Sequence, residues 1–509
     1  MLGCVLAMYL GLQIAHSDYM TGVYIAAIAG LVLYLGHLQR YTWQIALLIC
    51  YIGLQYRPFG FDFGPTEVTC GLAILLVVLT WWQKRDLKKI GVLNLRRFNV
   101  LRFLLLLWVV YGIIHMWYNV HSPFRPAEFL LKNAIKTYFA GLMPIAMLWY
   151  FSGNATAIRV KGNITRTITI LLLIGVTINI AITLFGILTH QNVADPDVTY
   201  SQTILIPGLN AYDNPYMLRT LGPMAVLFGA IALRSANHPM GASRGLSALL
   251  LFLGGVGCLI SGGRAAAVTA MCFVLTMLLL TKQIRALMMI LMLSGLFVLF
   301  ANLFSGWINR QAPVAVARPL QWVMIHKDSE AEASIESSSL WRRELFDRAI
   351  SEWRSDPRIF WFGRATYGFS VSDLVATNVS GTWEAFMESS LRRGATHNLL
   401  TDLLVTYGLI GCLLYYSVAL ATIYFLWAVF RSSDLSYTLR PLAVFCLITF
   451  VAYPVSATVG GGVYTAEDMW LLILLIAALY RSRSESNDSA RGVVDSTERL
   501  QGRMPQFVK

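Results

Sequence analysis

Residues 246–281 read LSALLLFLGGVGCLISGGRAAAVTAMCFVLTMLLLT. Two apolar blocks, 246–262 and 264–281, flank a short turn of small residues, and Arg264 is the single charged residue in the stretch. Each block has about the length that an α-helix needs to cross ~30 Å of hydrocarbon at 1.5 Å per residue. The stretch therefore predicts a hairpin of two membrane-spanning helices.

Similar apolar blocks recur along the whole chain. Hydrophobic residues make up 57% of the 509 residues and charged residues only 13%, whereas soluble proteins carry roughly 25% charged residues. The composition predicts an all-α polytopic membrane protein with about 12–14 transmembrane helices. We place the spans near 1–15, 21–36, 42–55, 66–82, 100–117, 133–151, 167–188, 217–233, 246–262, 264–281, 284–305, 399–425, 440–458 and 467–480.

The basic residues are distributed unequally between the two sets of short loops. With the N-terminus inside, the inner loops hold most of the Lys and Arg side chains, and by the positive-inside rule this orients the chain. The net charge of +13 is thus a topology signal that also suits anionic lipid, and it does not indicate a nucleic-acid partner. The inner set comprises Arg40, Lys84, Arg85, Lys88, Lys89, Arg96, Arg97, Arg159, Lys161, Arg166, Arg234, Arg244, Lys282, Arg285, Arg431 and Arg440, against Arg57, Arg125 and Lys132 in the short outer loops.

The spans divide the chain into four parts. Residues 1–305 hold transmembrane helices 1–11, and residues 397–480 hold helices 12–14. Between them, residues 306–396 form a loop with eleven basic and eleven acidic side chains, which lies on the periplasmic side because an odd number of spans precedes it. Residues 481–509 have too few apolar side chains to fold alone and are expected to be a disordered cytoplasmic tail.

The periplasmic loop contains one strong helical pattern. Its apolar residues recur at three- and four-residue spacing, which predicts an amphipathic helix near 338–355 that Asp356-Pro357 ends. The apolar positions are Leu340, Leu345, Phe346, Ala349, Ile350 and Trp353.

The positions of the cysteines and the lack of a phosphate-binding motif in the sequence limit the kinds of site that we expect. All seven cysteines fall within predicted spans, so the pattern indicates neither disulfides nor a Cys/His metal site. The sequence has no GxxxxGK[ST] motif, and we therefore expect no cofactor, no metal, and a substrate that brings its own energy.

Two arginines at outer span ends are candidates for anion binding. Arg264 lies at the tip of the hairpin SGGRAAA, where small residues allow close approach and a guanidinium can clamp a phosphate. Arg219 lies at the mouth of the span at 217–233. The alternative for both is an arginine that snorkels to the interface. In the preceding loop, Asp195 and Asp197 form a DxD pair that can hold Mg²⁺, although the intervening proline favours a turn.

The start of the span at 399–425 is the third candidate. It opens as THNLLTDLLVTYGLIG, and His397 at the membrane surface can act as a general base. Asp402 lies close enough in sequence to orient the imidazole, and Asn398 accompanies it. The alternative is an interfacial histidine with Thr396 as the helix cap.

The amphipathic helix of the loop carries the fourth candidate. Arg342, Arg343, Arg348 and Arg354 can face a polyanion. Alternatively Glu344, Asp347 and Glu352 neutralise them as surface ion pairs.

Taken in order, these motifs resemble the O-antigen ligase and O-antigen polymerase superfamily of bacterial envelope glycosyltransferases. SGGRAAA is similar to the family's S-x-S-R-G-A turn, and Asp213-Asn214-Pro215 to its N-P-N motif. WRRELFDRAISEWRSDPRIFWFGRATYGF, residues 341–369, resembles its R-x-x-x-W-x-x-A helix and P-L-x-G-x-G loop. HNLLTDLLVTYGLIG, residues 397–411, is the most specific match, to H-N-x-x-L-x-x-x-x-x-x-G-L-I-G. The motifs cover about 205–430.

The resemblance implies an inverting, metal-independent glycosyl transfer at the periplasmic face of the bacterial inner membrane. The implied donor is an undecaprenyl-diphosphate-linked glycan, and the implied acceptor is a glycan or lipid A–core. The membrane lipids are the remaining partner. By position, Arg264 and His397 are implied to be catalytic, with His397 activating or orienting the acceptor hydroxyl. Arg264 would bind the diphosphate together with Arg219, supported by Arg342 or Arg343, and Asn398 and Asp402 complete the substrate-binding set.

Two alternatives remain open at this point. Within the family, the long neutral loop and the extra spans favour a polymerase over a ligase. Outside it, a membrane transporter or flippase is the competing class, although such proteins commonly carry ionisable residues at mid-membrane. Here those residues are few, and Lys136 and Asp402 lie near span ends.

Overall fold

The computed structural model describes residues 42–52, 54–56, 98–121, 164–188, 203–206, 209–211, 214–235, 242–261, 264–311, 320–321, 323–325, 329–364, 398–431 and 439–460, with single residues at 387, 391, 472, 473, 475 and 476. The chain divides into two compact units, residues 1–46 and 47–509; of the first, only residues 42–46 are described. The predicted spans at 1–15, 21–36, 66–82 and 133–151, most of 467–480, and the tail 481–509 lie outside the described residues.

Twelve helices lie in the described part of the chain, and nine of them coincide with predicted spans. The nine are α1 (Thr42–Ile52), α2 (Asn99–His121), α3 (Ile164–Leu188), α4 (Asn214–Ser235), α5 (Arg244–Ile260), α6 (Arg264–Leu280), α7 (Ile284–Leu303), α11 (Leu399–Arg431) and α12 (Leu439–Gly460). The periplasmic loop of the prediction supplies the other three, α8 (Ser305–Gln311), α9 (Ser329–Ser355) and α10 (Pro357–Phe362).

The all-α polytopic class is confirmed. Five of these helices are long and apolar enough to cross a membrane, namely α2, α3, α4, α7 and α11, and three more are shorter apolar helices. Three short strands, β1 (Leu54–Tyr56), β2 (Thr203–Ile206) and β3 (Leu209–Ala211), form an antiparallel sheet in the order β1-β3-β2. The total of 12–14 spans stays a prediction, because several of them lie outside the described part.

Helix α4 is the centre of the described bundle. It packs against α3, α5, α6 and α12, and its core side chains Leu218, Leu227 and Phe228 are fully buried. A second group of contacts runs from α12 to α11 and from α11 to α2. By contrast, most of the large apolar side chains of α7 are exposed among the described residues, as expected for a helix that faces lipid.

The loop helices pack onto the start of α11. Helix α9 contacts both α10 and α11, and α10 contacts α11. The helix predicted near 338–355 is part of α9, which begins earlier, at Ser329. The additional residues have no apolar periodicity but are rich in Ala and Glu, which have high helix propensity.

Candidate functional site

Helices α4 and α5 meet at backbone distance, and this contact positions Arg219. A Cβ added at Gly254 would lie 2.8 Å from the backbone nitrogen of Val226, and one added at Gly222 would lie 2.9 Å from Sγ of Cys258. Small residues at such crossings let membrane helices approach closely. The N-terminal part of α4 is therefore held against the C-terminal part of α5.

Arg219 reaches the turn that follows α5. Its Nε donates to the carbonyl oxygen of Ser261 at 3.4 Å. Ser261 is fully buried, and its hydroxyl donates to the carbonyl of Cys258 at 2.7 Å. Helix α6 then begins at Arg264. We call Arg219, Ser261 and the start of α6 at Arg264 the arginine corner.

The structure thus brings together two regions that the sequence separates by about forty residues. Arg219 lies beside the hairpin that carries Arg264, as a shared diphosphate site requires. The side chain of Arg264 and residues 262–263 lie outside the described residues, and so do Asp195 and Asp197. In the first turn of α6, Ala266 is fully buried, which anchors the start of the helix in the bundle.

The start of α11 is organised by Asn398. Its Oδ1 accepts from the backbone nitrogens of Leu400 at 3.0 Å and Thr401 at 3.4 Å, and its carbonyl accepts from the nitrogen of Asp402 at 2.9 Å. Asn398 is therefore the N-cap of α11, the role that the sequence suggested for Thr396. His397 immediately precedes it and lies outside the described residues.

Asp402 lies in the first turn of α11 and is fully buried, as is Thr401. The neighbouring side chains Leu399, Leu403 and Leu404 belong to an apolar cluster. A carboxylate in such surroundings is expensive to bury and marks a functional position by default in a membrane protein. Its role towards His397 remains a prediction.

Helix α9 presents an apolar face to α11 and its arginines to the outside. Leu345 and Ala349 are fully buried in a cluster with Val405 of α11, whereas Leu340 and Phe346, predicted on the same face, are exposed. The side chains of Arg342 and Arg343 are also exposed, so the structure does not carry them into a buried site within the described residues.

One alternative interpretation of the α9 charges is realised. Arg348 pairs with Glu344 at 2.9 Å on the exposed surface, and Glu352 pairs with Arg364, a largely buried contact. Only the pair of Glu344 with Arg348 is of the predicted kind, because Arg364 lies outside the predicted set of arginines and its contact with Glu352 is largely buried. Arg342 and Arg343 keep only the predicted supporting role.

Two glycines join the loop of residues 306–396 to α11. Gly363 ends α10 with φ +76° and ψ −171°, and Gly408 interrupts α11 with φ +66° and ψ −173°. This backbone region is nearly exclusive to glycine. A Cβ at Gly363 would lie 2.6 Å from the nitrogen of Gly408, and one at Gly408 would lie 2.5 Å from the nitrogen of Gly363. The two backbones therefore touch directly, and both positions require glycine.

Helix α2 covers this contact with polar aromatic side chains. His115 is 1% exposed, and its imidazole lies in hydrogen-bonding range of the backbone of Phe362 and of Thr406. Its ring stacks on Tyr111 at 5.6 Å and contacts Tyr407 at 5.2 Å. The hydroxyl of Tyr111 donates to the carbonyl of Tyr407. We call Gly363 and Gly408, with His115 and Tyr111 of α2, the glycine junction.

Sequence reasoning missed His115 and Tyr111. A signal was available, because His115 is an ionisable residue inside the predicted span 100–117, and such residues are rare and functional in membrane proteins. No local motif links α2 to the loop, so the partner of His115 could not be named. In the described part of the chain, no group of three or more His, Cys, Asp or Glu side chains is arranged to hold a metal ion.

Residues 249–416 match the Wzy_C family, described as O-antigen ligase. The match runs from α5 through the hairpin, α6, α7 and the loop to the first half of α11, and so includes Arg264, Arg342, Arg343, His397, Asn398 and Asp402. Arg219 and α2 lie outside it. The resemblance drawn from the motifs is confirmed by this match. No curated protein matches the chain.

Proposed function

We propose, from the match of residues 249–416 to the O-antigen ligase family, that this chain transfers a glycan from an undecaprenyl-diphosphate carrier to an acceptor at the periplasmic face of the bacterial inner membrane. Membership of the family itself indicates glycosyl transfer in surface polysaccharide assembly. The identity of the donor, the acceptor and the membrane face is the proposed part.

The contact between Arg219 and Ser261 carries the proposal. It places one guanidinium at the hairpin where the second arginine, Arg264, begins α6. The N-terminus of a helix also favours anions, because its first N–H groups are unpaired within the helix and the helix dipole is positive there. Two arginines and a helix start at one membrane boundary suit a diphosphate.

The connection of the helices supports a single site on one side of the membrane. Helices α6 and α7 pack against each other and are joined by the short turn 281–283, so α7 ends on the side where α6 begins. No apolar span is predicted between α7 and α11. This order of helices supports our placement of the arginine corner and the start of α11 at the same face of the membrane.

The chemistry is a single displacement. The acceptor oxygen attacks the anomeric carbon while the bond to the diphosphate breaks, and the diphosphate leaves with the electron pair, which inverts the anomeric configuration. Arg219 and Arg264 stabilise the charge that develops on the leaving group. His397 takes the proton of the acceptor hydroxyl, and the buried Asp402 orients its imidazole. Holding donor and acceptor together supplies much of the remaining acceleration.

Within the family we favour a polymerase, which joins repeat units, over a ligase, which moves finished glycan to lipid A–core. The neutral loop of 306–396 is not a free appendage, because α9 and α10 pack onto α11 beside Asp402. Such a loop can hold a second lipid-linked glycan as acceptor. The length distribution of the product distinguishes the two, since a ligase transfers one finished chain per acceptor.

A transporter or flippase is the second candidate, and the break in α11 at Gly408 favours it, because interrupted helices are typical of transport sites. In transporters the freed backbone lines a cavity. Here the backbone nitrogen of Arg364 donates to the carbonyl of Val405 at 2.7 Å, and the loop fills the break. The interruption therefore serves the docking of the loop.

The test is transfer of glycan by the purified protein in detergent, with a lipid-diphosphate glycan as donor and no nucleotide sugar. Detergent removes the two compartments, so a transporter gives no product. We expect wild-type turnover, and a loss of about 10²–10³-fold in kcat for Arg219→Ala, Arg264→Ala and His397→Ala, by analogy with the removal of one charge-stabilising donor.

Arg234→Ala is the matched control for Arg219→Ala, because Arg234 lies at the other end of the same helix and is exposed. It is expected to keep full activity. Full activity of both Arg264→Ala and His397→Ala would overturn the proposal, as would wild-type protein that releases no glycan from the carrier.

A further inference from the structure

The break in α11 leaves backbone groups that need partners. In a helix that ends before Gly408, the last four carbonyls, those of residues 404–407, have no helical N–H to accept from. Within a membrane an unsatisfied carbonyl is costly. The partners of this turn must come from outside α11.

Three residues from two segments, α2 and the end of the loop, provide partners for three consecutive residues. The backbone nitrogen of Arg364 donates to the carbonyl of Val405 at 2.7 Å, and the hydroxyl of Tyr111 donates to the carbonyl of Tyr407. The imidazole of His115 lies in hydrogen-bonding range of the backbone of Thr406. Two of the three partners come from α2, which lies outside the family match of 249–416.

His115 is placed to connect the loop to the membrane helix. The same imidazole also lies in hydrogen-bonding range of the backbone of Phe362, the last residue of α10, and its single N–H can serve either of the two backbone groups. Burying an imidazole that is not hydrogen-bonded is unfavourable, whereas here one side chain lies within reach of both sides of the glycine contact. Tyr118, one helical turn beyond, packs its ring against Phe362 at 5.4 Å.

The loop side of the junction is rigid as well. The indole nitrogen of Trp353 donates to the carbonyl of Phe360 at 3.0 Å, and the two rings stack at 4.6 Å. Glu352 pairs with Arg364. Helix α9 is thus fixed to α10, α10 to α11, and both to α2 through His115.

We propose that His115 is a positioning residue for glycosyl transfer: with Tyr111, it holds the segment Leu399–Tyr407 at a fixed angle to α10, and so sets where His397 and Asp402 meet the acceptor. The inference rests on the proposed function. It assigns a role to a helix outside the family match, and it requires no contact between His115 and substrate. Misplacement of a reacting group by about 1 Å can lower a rate ~10²-fold.

The experiment compares His115→Phe, which keeps a ring of similar size and removes the ring N–H, with wild type. Because the arginine corner is untouched, we expect kcat to fall about ten- to hundredfold, while KM for the lipid-diphosphate donor changes less than about twofold. Deuterium exchange of the amides in 399–407, measured in detergent, is expected to rise at least about tenfold, with exchange in 214–260 unchanged. His115→Gln or His115→Asn, which retain a donor, restores part of kcat.

A second variant covers the case in which His115→Phe does not fold. Tyr111→Phe removes only the hydroxyl that binds the carbonyl of Tyr407, and is expected to raise exchange in 399–407 and lower kcat in the same direction. Tyr118→Phe is its matched control on the same helix, because the Tyr118 hydroxyl makes no hydrogen bond to the described residues. It is expected to leave both quantities unchanged.

The outcomes separate the two proposals. Wild-type protein without transfer activity overturns the proposed function, and the exchange measurement still reports on the junction. Unchanged exchange in 399–407, or increased exchange with wild-type kcat, overturns the role of His115. Equal effects of Tyr111→Phe and Tyr118→Phe do so too.

Discussion

The arginine corner and the glycine junction are both built from helices that approach at backbone distance, but they use that closeness differently. At the arginine corner, Gly222 and Gly254 remain helical, and the close crossing brings a charged side chain to a turn. At the glycine junction, Gly363 and Gly408 leave the helical region, and the backbone itself forms the contact. One region places a cation beside the turn after α5, and the other connects the loop helices α9 and α10 to α11.

This difference indicates which of the two regions tolerates amino-acid substitutions with less loss of stability. A helical crossing can widen by a fraction of an ångström and keep its hydrogen bonds. A junction of two glycines in a glycine-only conformation cannot relax without breaking α11 or releasing α10. We therefore expect the junction to be the more sensitive of the two.

The largest effect is expected for Gly408→Ala, which breaks the junction alone. A side chain at φ +66° costs about 1–3 kcal/mol, and overlap with the backbone of Trp361 adds about 1–3 kcal/mol. We expect the free energy of unfolding in detergent to fall by about 4 kcal/mol, read from chemical or thermal unfolding.

Gly295→Ala is the matched control for Gly408→Ala. Gly295 is helical in α7, and a Cβ there meets nothing within 4 Å. Its stability is expected to stay within about 1 kcal/mol of wild type. A stable Gly408→Ala protein would contradict the assignment of the junction.

The second effect tests the arginine corner. Gly254→Ala introduces a methyl group 2.8 Å from the nitrogen of Val226 and 2.9 Å from Cβ of Ala225, so α4 and α5 must separate. We expect a loss of about 2 kcal/mol in stability. Because Arg219 then moves away from Ser261, KM for the donor is expected to rise as well.

Gly255→Ala, at the adjacent position, provides the comparison. A Cβ at Gly255 has open space, and the substitution is expected to leave unfolding and donor KM unchanged. Equal behaviour of the two alanine variants would show that the close crossing does not position Arg219.

The third prediction asks how much charge contributes to the junction. Glu352→Gln removes the anionic partner of Arg364 in an ion pair whose side chains are only 22% and 12% exposed. We expect a loss of about 1.5 kcal/mol. Glu344→Gln, which breaks the exposed pair with Arg348, is expected to cost less than about 0.5 kcal/mol. Similar unfolding midpoints for the two variants would argue against a contribution of the ion pair between Glu352 and Arg364 to the stability of the junction.

The smallest effect concerns the start of α11. Asn398→Ala removes the side-chain acceptor of two backbone nitrogens and is expected to cost about 1 kcal/mol. Asn398→Ser keeps a capping oxygen and is expected to retain most of this stability. Amide exchange of residues 399–402 measures the effect locally, and equal exchange in both variants would count against the cap.

Several parts of the fold and of the candidate site could be predicted from local sequence patterns. Arg264 between two apolar blocks predicted the hairpin, and α6 begins at that residue. The spacing of Leu345 and Ala349 identified the face of α9 that packs on α11. The spacing did not show that Leu340 and Phe346 stay exposed, because a helical period defines a broad face, whereas the partner α11 selects the part that becomes buried.

Contacts between segments that are far apart in the sequence could not be predicted from it. The imidazole of His115 and the backbone of Phe362 are separated by more than two hundred residues, and nothing in either segment names the other. The use of Asn398 as the cap instead of Thr396 is a difference of two residues, within the usual uncertainty of helix ends. Neither outcome follows from a motif.

The amino-acid sequence by itself determined the membrane class, the apolar helices of the described part of the chain, and the resemblance that the match of residues 249–416 bears out. It did so because the hydrocarbon thickness dictates apolar length, and because charges are excluded from spans. Only the tertiary structure decided that Arg219 meets the hairpin of Arg264, and that His115 closes the break at Gly408. Such contacts depend on which backbones pack together, and this is a property of the whole bundle.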